Sequence, residues 1–338
     1  MAIAQQAPNS KEKIRVQTFA LVIGFILLGV KFFAFFTTNS NAILTDALES
    51  IINIVAGGFG LYSLYLAAKP NDEDHPYGHG KVEFISASIE GSLIFAAGVA
   101  MIIKSSYNLF FPIEIASLDI GLILIVISGF INYGLGHYAQ KSGEKNSSIT
   151  LIASGQHLKA DAYTSIGLLI GLGFIYLTKI YILDNVVSIL MGLFIIYSGF
   201  KILKKSVAGI MDEADFALLD KVVFHLNESR RENWIDIHNL RIIKFGEKIH
   251  IDCHATIPWY FNALEVHEEL KSIEENIKDI IPNNLETFIH ADPCLPKSCK
   301  SCYKHDCNVR QHPFEKRIEW TLENVMKNEK HFLNYEED

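Results

Sequence analysis

Several things are missing from this chain, and each absence excludes a class of function. No glycine-rich phosphate loop and no nucleophile–base constellation can be found in its 338 residues, so an enzyme has little support. Basic charge is not in excess. There are 38 Asp and Glu against 30 Lys and Arg, and the net charge of −8 argues against a nucleic-acid partner. A cleavable leader is not expected: the chain is polar up to Arg15, the apolar run that follows is too long for a signal core, and no cleavage site succeeds it. Cysteine is confined to the last third, at Cys253, Cys294, Cys299, Cys302 and Cys307.

What is abundant is apolar length. Hydrophobic residues make up 49% of the chain and crowd into residues 16 to 205. Six stretches stand out: Val16 to Phe36, Ala42 to Ala67, Val82 to Ile103, Ser117 to Tyr138, Leu151 to Thr178 and Ile180 to Ile202. Each has the roughly 20 residues that a helix needs to cross a hydrocarbon core. Lys11, Lys13, Arg15, Lys69, Lys81, Lys141, Lys145, Lys201, Lys204 and Lys205 fall on one side of the resulting bundle, with little beyond Lys104 and Lys179 on the other. This asymmetry places both termini in the cytoplasm. A reducing compartment disfavours disulfides and makes metal ligation the leading use of clustered thiols.

After Met211 the pattern changes. Ala214 to Arg230 reads as an amphipathic helix, Trp234 to Phe245 and Lys248 to Ile257 as strands, Asn262 to Ile277 as a second helix and Leu285 to Ala291 as a third strand. That α-β-β-α-β order predicts a small α+β domain, an open sheet with its helices on one face. In the charged tail, Phe314, Ile318, Leu322 and Val325 recur at helical spacing and predict a short docking helix. The chain thus divides into an N-terminal segment (1–15), a six-helix all-α transmembrane domain (16–210), a cytoplasmic domain (211–293), and a cysteine-rich segment with its tail (294–338).

Ionisable residues inside apolar helices are costly and point to function. His157 and Asp161 lie four residues apart in the fifth stretch, hence on one helix face. In the second stretch Asp46, Glu49 and Asn53 likewise share a face; Asp46 sits near the outer edge, where it can snorkel. Glu49 and Asn53 opposite His157 and Asp161 would offer one imidazole, two carboxylates and an amide oxygen, a set suited to a borderline divalent cation. A proton relay or a structural ion pair is the competing reading. Lys31, Glu90 and Asn132 are single residues on apolar faces and read as packing or interfacial groups.

Three further clusters are rich in ligands. The loop NDEDHPYGHGK carries Asp72, His75 and His79, with Pro76, Gly78 and Gly80 to turn them together. The C-terminal domain holds His238, His250, His254, His267, His290 and Asp292 in or beside predicted elements; together they predict a metal site on the sheet. Cys294, Cys299, Cys302 and Cys307 have the spacing C-x4-C-x2-C-x4-C, with His290, His305 and His312 nearby, and thiolates in this density select Zn2+ or a softer ion.

The DALES segment, the DxxHPYGHGK loop, HxxxD in the fifth helix and the HADP strand together resemble the cation diffusion facilitator family of metal/proton antiporters, here with a cysteine-rich C-terminal extension. The resemblance runs from about residue 12 to 296. It implies six transmembrane helices, a ferredoxin-like, metallochaperone-like cytoplasmic domain and a homodimer in the plasma (inner) membrane. It implies a transport site of Glu49, Asn53, His157 and Asp161, with Asp46 as a further candidate, a loop site of Asp72, His75 and His79, and a cytoplasmic dimer site of His238, His254, His267, His290 and Asp292. Lys81 and Asp212 match a charge interlock. The implied activity is efflux of a divalent cation, Zn2+ ahead of Co2+, Fe2+, Mn2+ and Cd2+, against external protons. The chain departs from the family's zinc exporters at Glu49 and Asn53, where those carry His or Asp and then Asp. The alternative is a membrane-tethered metal sensor or buffer whose altered site does not transport.

Overall fold

The computed structural model describes residues 10–38, 41–110, 120–178, 182–246, 248–281 and 285–333. The chain falls into two compact units, Met1–Met211 and Asp212–Asp338.

Among the described residues, the first unit holds six helices of 26 to 30 residues: α1 Ser10–Thr38, α2 Asn41–Ala67, α3 Val82–Phe110, α4 Ile120–Lys145, α5 Ile149–Thr178 and α6 Ile182–Ile210. Among the described residues, four stretches are long and apolar enough to cross a membrane: Ser10–Phe33, Ser50–Ala67, Val82–Phe110 and Asn185–Ile210. The helices outrun the apolar stretches that predict them. Helix α1 starts at Ser10, six residues before Val16, because Lys13 is not a loop charge. It is buried and its Nζ lies 3.1 Å from Glu83 Oε1. Glu83, itself buried, also accepts from the Ser148 hydroxyl, so one carboxylate ties α1 and α3 to the start of α5. Helix α4 continues past Tyr138 to Lys145, which pairs with Glu12 at 3.1 Å.

Glycine sets how closely these helices pack. A Cβ on Gly199 of α6 would lie 2.6 Å from the backbone nitrogen of Phe95 and 2.9 Å from the carbonyl of Gly91 on α3. One on Gly98 would meet the carbonyl of Gly192 at 2.9 Å. Gly136 of α4 and Gly155 of α5 oppose each other in the same way, at 2.6 Å. In lipid, where burial of apolar surface gives no net drive, backbone-to-backbone approach of this kind carries the association.

The second unit has the predicted order. Helix α7 (Phe216–Glu228) is capped by Asp215, whose side chain accepts from Leu218 N. Strands β1 (Asp236–Phe245) and β2 (Lys248–Ile257) pair antiparallel. Helix α8 (Ala263–Lys278) opens with a capping box of Asn262 and Glu265, and β3 (Leu285–Pro293) returns parallel to β2. The strand order is β1-β2-β3. Alternation sends Ile251, Cys253, Ala255 and Ile257 into a core with Leu219, Val222, Val223 and Leu226 of α7 and Ile273 and Ile277 of α8. Both helices therefore cover one face, and His250, Asp252 and His254 point to the other.

The tail corrects one expectation. Its helix, α9, spans only Leu322–Val325, and Phe314 and Ile318 lie in non-helical chain. The reason lies in Trp320, which is buried in the core. Asn227 of α7 donates to its carbonyl at 2.6 Å and accepts from its N–H at 3.2 Å, and the Arg230 guanidinium stacks 3.7 Å above the indole while donating to the Ile318 carbonyl. These bonds satisfy the backbone groups that a helix would otherwise pair.

Gly199→Leu should drive α6 off α3 and cost about 1–3 kcal/mol, seen as a lowered melting temperature of the detergent-solubilised chain. Gly134→Ala, whose Cβ meets nothing within 4 Å, should be neutral or stabilising in the same assay.

Candidate metal sites

The helix-embedded candidates come together across α2 and α5. Asn53 Nδ2 donates to Asp161 Oδ2 at 2.6 Å, and Asn53 Oδ1 lies 2.7 Å from His157 Nε2. His157 Nε2 and Asp161 Oδ1 are 4.0 Å apart, and both side chains are largely buried. With the amide placed this way round, its oxygen accepts from a protonated Nε2. The amide therefore bridges an imidazole and a carboxylate, holding both in reach of one small cation. Glu49 lies one turn before Asn53 in α2. Its side chain and that of Asp46 lie outside the described residues.

Asn53 and His157 line a cavity of about 60 Å³ shared by α1 to α5. Its wall includes Lys31, Glu90 and Asn132, all buried. The sequence reads these as packing or interfacial groups; the structure gathers them around the site. It also adds Gln17 and Ser154, which sequence reasoning missed. Gln17 Nε2 donates to Ser154 Oγ at 3.1 Å and to the Gly57 carbonyl at 3.0 Å, and Ser154 Oγ donates to Glu90 Oε1 at 2.5 Å. Ser154 stands three residues before His157, on the same helix face, and that spacing was a usable signal.

The loop triad also converges. Asp72 Oδ1 is 3.0 Å from His75 Nδ1 and its Oδ2 is 3.2 Å from His79 Nε2; the two rings lie 4.3 Å apart. Gly78, at φ 87°, supplies the turn, a backbone conformation that other residues adopt only under strain. Desolvation pushes the Asp72 carboxyl up, but hydrogen bonds from the His75 side chain and backbone outweigh it and hold the group below its ordinary value.

On the open face of the sheet, register does the assembling. His238, His254 and His290 pair across β1, β2 and β3, and Thr256 pairs with both Asp236 and Asp292. Asp292 Oδ2 lies 3.3 Å from His238 Nε2 and 3.1 Å from His254 Nδ1. His290 is more exposed, with Nε2 3.9 Å from Asp292 Oδ1. His267 is exposed on α8, the helix that covers the opposite face, and His250 pairs with Asp252 at 2.7 Å. The ligand atoms of His238, His254 and Asp292, like those of the loop triad, all lie within 4.8 Å of one another. Two residues of this cluster were missed from sequence: Asp236, 3.3 Å from His238 Nδ1, and His331 of the tail, 2.6 Å from Asp236. Burial would raise the Asp236 carboxyl, but hydrogen bonds from His238 and His331 win and hold it well below the usual range. For Asp292 too, burial is outweighed, by the His254 hydrogen bond and the Lys330 charge, and the net direction is down. Both carboxylates are thus kept ionised where a cation would need them.

Cys294, Cys299, Cys302 and Cys307 line one small cavity, without the tight convergence of the two triads. Cys253 is separate. It lies on the core face of β2, and burial pushes its thiol up to about 12, which makes it inert. Lys81 precedes α3 in the first unit, and Asp212, at φ 57°, opens the second.

Comparison with known proteins settles the class. Residues 18–211 match the cation efflux transmembrane domain, and residues 220–294 match the cation efflux protein cytoplasmic domain. The chain belongs to the cation diffusion facilitator family. It is 27% identical to an uncharacterized transporter of Synechocystis over 272 residues, 80% of this chain and 87% of that one. It is 25% identical to metal tolerance protein C1 of Arabidopsis thaliana (81% of this chain, 61% of that one) and 24% identical to the cation-efflux pump FieF of Salmonella arizonae (83% and 93%). A cation diffusion facilitator is a transporter rather than an enzyme, its cargo is a divalent metal ion, and its second domain carries a small sheet. Residues past 294 lie beyond both matched domains.

Asp292→Asn should weaken any binding of Zn2+ at the sheet triad by on the order of 100-fold, measured by competition with a chromophoric chelator on the purified full-length protein.

Proposed function

We propose that this cation diffusion facilitator exports a divalent metal from the cytoplasm in exchange for external protons. Zn2+ stands ahead of Co2+, Fe2+, Mn2+ and Cd2+ as cargo, and the working form is a homodimer in the inner (plasma) membrane with both termini cytoplasmic. The observation that carries this reading is the meeting of Asn53, His157 and Asp161 across two apolar helices. A cation arriving there takes the Asp161 carboxylate, the imidazole nitrogen of His157 and the carbonyl of Asn53, with Glu49 as the fourth ligand from the turn before. Loading requires neutral His157 and ionised carboxylates, so each metal bound displaces protons. After the site opens outward, external protons return to these groups and release the metal. Imidazole titrates near physiological pH, which makes His157 the natural carrier. The loop triad and the sheet triad bind metal outside this path, and the sheet triad reports cytoplasmic metal to the dimer. Lys81 and Asp212 act as the charge interlock.

One observation favours the alternative of a tethered sensor. Asn53 is neutral where zinc exporters carry an anion, and its amide is hydrogen-bonded to Asp161 in the present arrangement. Inside-out vesicles separate the two readings, since a sensor binds metal without moving it.

Asp161→Ala in proteoliposomes should cut metal-for-proton exchange by on the order of 100-fold; exchange at the native rate would remove the assignment. Asn53→Asp should shift the preference among Zn2+, Co2+, Fe2+, Mn2+, Ni2+ and Cd2+, and an unchanged profile would mean that Asn53 does not set selectivity.

A further inference from the structure

The cysteine cavity sits in the second unit where the matched domain ends: Cys294 is its last residue, and Cys299, Cys302 and Cys307 lie past it. Cys294 is fixed to the end of β2, its N–H donating to the Ile257 carbonyl at 3.0 Å. Cys299 rides on a 3-10 turn, Pro296–Lys300. Arg310 reaches back from beyond Cys307 and donates to the carbonyls of Cys299, Cys302 and Lys304 at 2.9, 2.9 and 2.7 Å. These links fold the segment into a knuckle around a cavity of about 20 Å³, room for one small ion or water. Burial does little to hold it: within residues 294–312 Cys302 is the one buried apolar residue among those described, while Leu295 and Val309 are exposed. A segment with so little core needs a staple.

We propose that Cys294, Cys299, Cys302 and Cys307 bind one thiophilic divalent cation, Zn2+ or Cd2+, as a structural site distinct from the transported ion. The thiols close on the ion and lose their protons to solvent as they ligate. A divalent ion with four thiolates carries a net charge of −2, and Arg310 at the cavity wall offsets part of it, while Lys304, also at the wall, is held by Glu232 at 3.2 Å and Asp306 at 3.0 Å. The test is metal counting on the full-length protein, purified with Zn2+ and dialysed against a weak chelator. The native chain should retain one more zinc than the Cys299→Ser/Cys302→Ser double variant, and His254→Ala should keep that ion. Cd2+ added to the metal-free native chain should give a thiolate-to-metal charge-transfer band, a readout that does not depend on the variant folding. Equal zinc in both chains, no such band, or four cysteines titrating as two disulfides would each overturn the proposal.

A separate observation concerns the end of the tail. Asn239 N–H on β1 donates to the Lys327 carbonyl at 2.8 Å, which brings the next residues onto the open face of the sheet. There Lys330 Nζ lies 3.5 Å from Asp292 Oδ1 and donates to the Pro293 carbonyl at 3.0 Å. His331 donates its backbone N–H to Asp236 Oδ2 at 3.1 Å and meets Oδ1 with its ring. An ammonium thus sits on the carboxylate that joins His238 to His254. Resting on the reading of this triad as a divalent-cation site, we infer that Lys330 is its built-in competitor: metal and lysine exclude each other at Asp292, and metal binding lifts the tail end off the sheet. Lys330→Met should tighten Zn2+ binding at the triad by about fivefold, and Zn2+ should speed proteolytic cleavage after residue 327 in the native chain. Unchanged affinity and unchanged cleavage would refute the competition. If His254→Ala bound as much Zn2+ as the native chain, the triad reading itself would fall, a different result from either.

Discussion

An ionisable group inside an apolar helix must be met by another polar group or by an ion, and the first unit is arranged around that constraint. Asp161 and His157 are met by Asn53; Glu90 is met by Ser154, which is met by Gln17; Lys31 is met by Ser50 at 2.7 Å. These five bonds join four different pairs of helices, so satisfying the polar groups also fixes which helices are neighbours. The glycine contacts join two further pairs, α3 with α6 and α4 with α5, where backbone meets backbone instead.

Two chemistries share the chain. In the helices, oxygen and nitrogen donors of modest charge surround a small cavity, an arrangement from which an ion can leave. On the sheet and in the knuckle, carboxylate-backed imidazoles and thiols sit on fixed strands and turns, an arrangement suited to holding one. The neutral Asn53 belongs with the first kind: an amide oxygen is a weaker ligand for a hard or borderline cation than a carboxylate.

Much of this was legible in the sequence, because period and cost leave marks there. HxxxD within an apolar run declared a shared helix face, and the alternation of Ile251, Cys253, Ala255 and Ile257 with His250, Asp252 and His254 declared which side of β2 is core. What was not legible came from long-range pairing. His331 reaches Asp236 only because Trp320 is pulled into the core and carries the tail along the β1 edge. A helical spacing from Phe314 to Val325 was outweighed by two side chains, Asn227 and Arg230, that bond the backbone in its extended form. Gln17 was missed because its partner Ser154 lies far along the chain, on α5.

The ladder His238–His254–His290 has a consequence for how this sheet can change. Side chains alternate along a strand with a period of two, so the three histidines share a face only in one register. Inserting or deleting a single residue between Lys248 and His254 would exchange the two sets, putting imidazoles against Leu219 and Ile273 and turning isoleucines toward water. The histidine face is thus protected by the same residues that hold the domain together: the sheet acts as a ruler whose divisions cannot be shifted singly, and drift in ligand number or identity has to proceed by replacement at fixed marks.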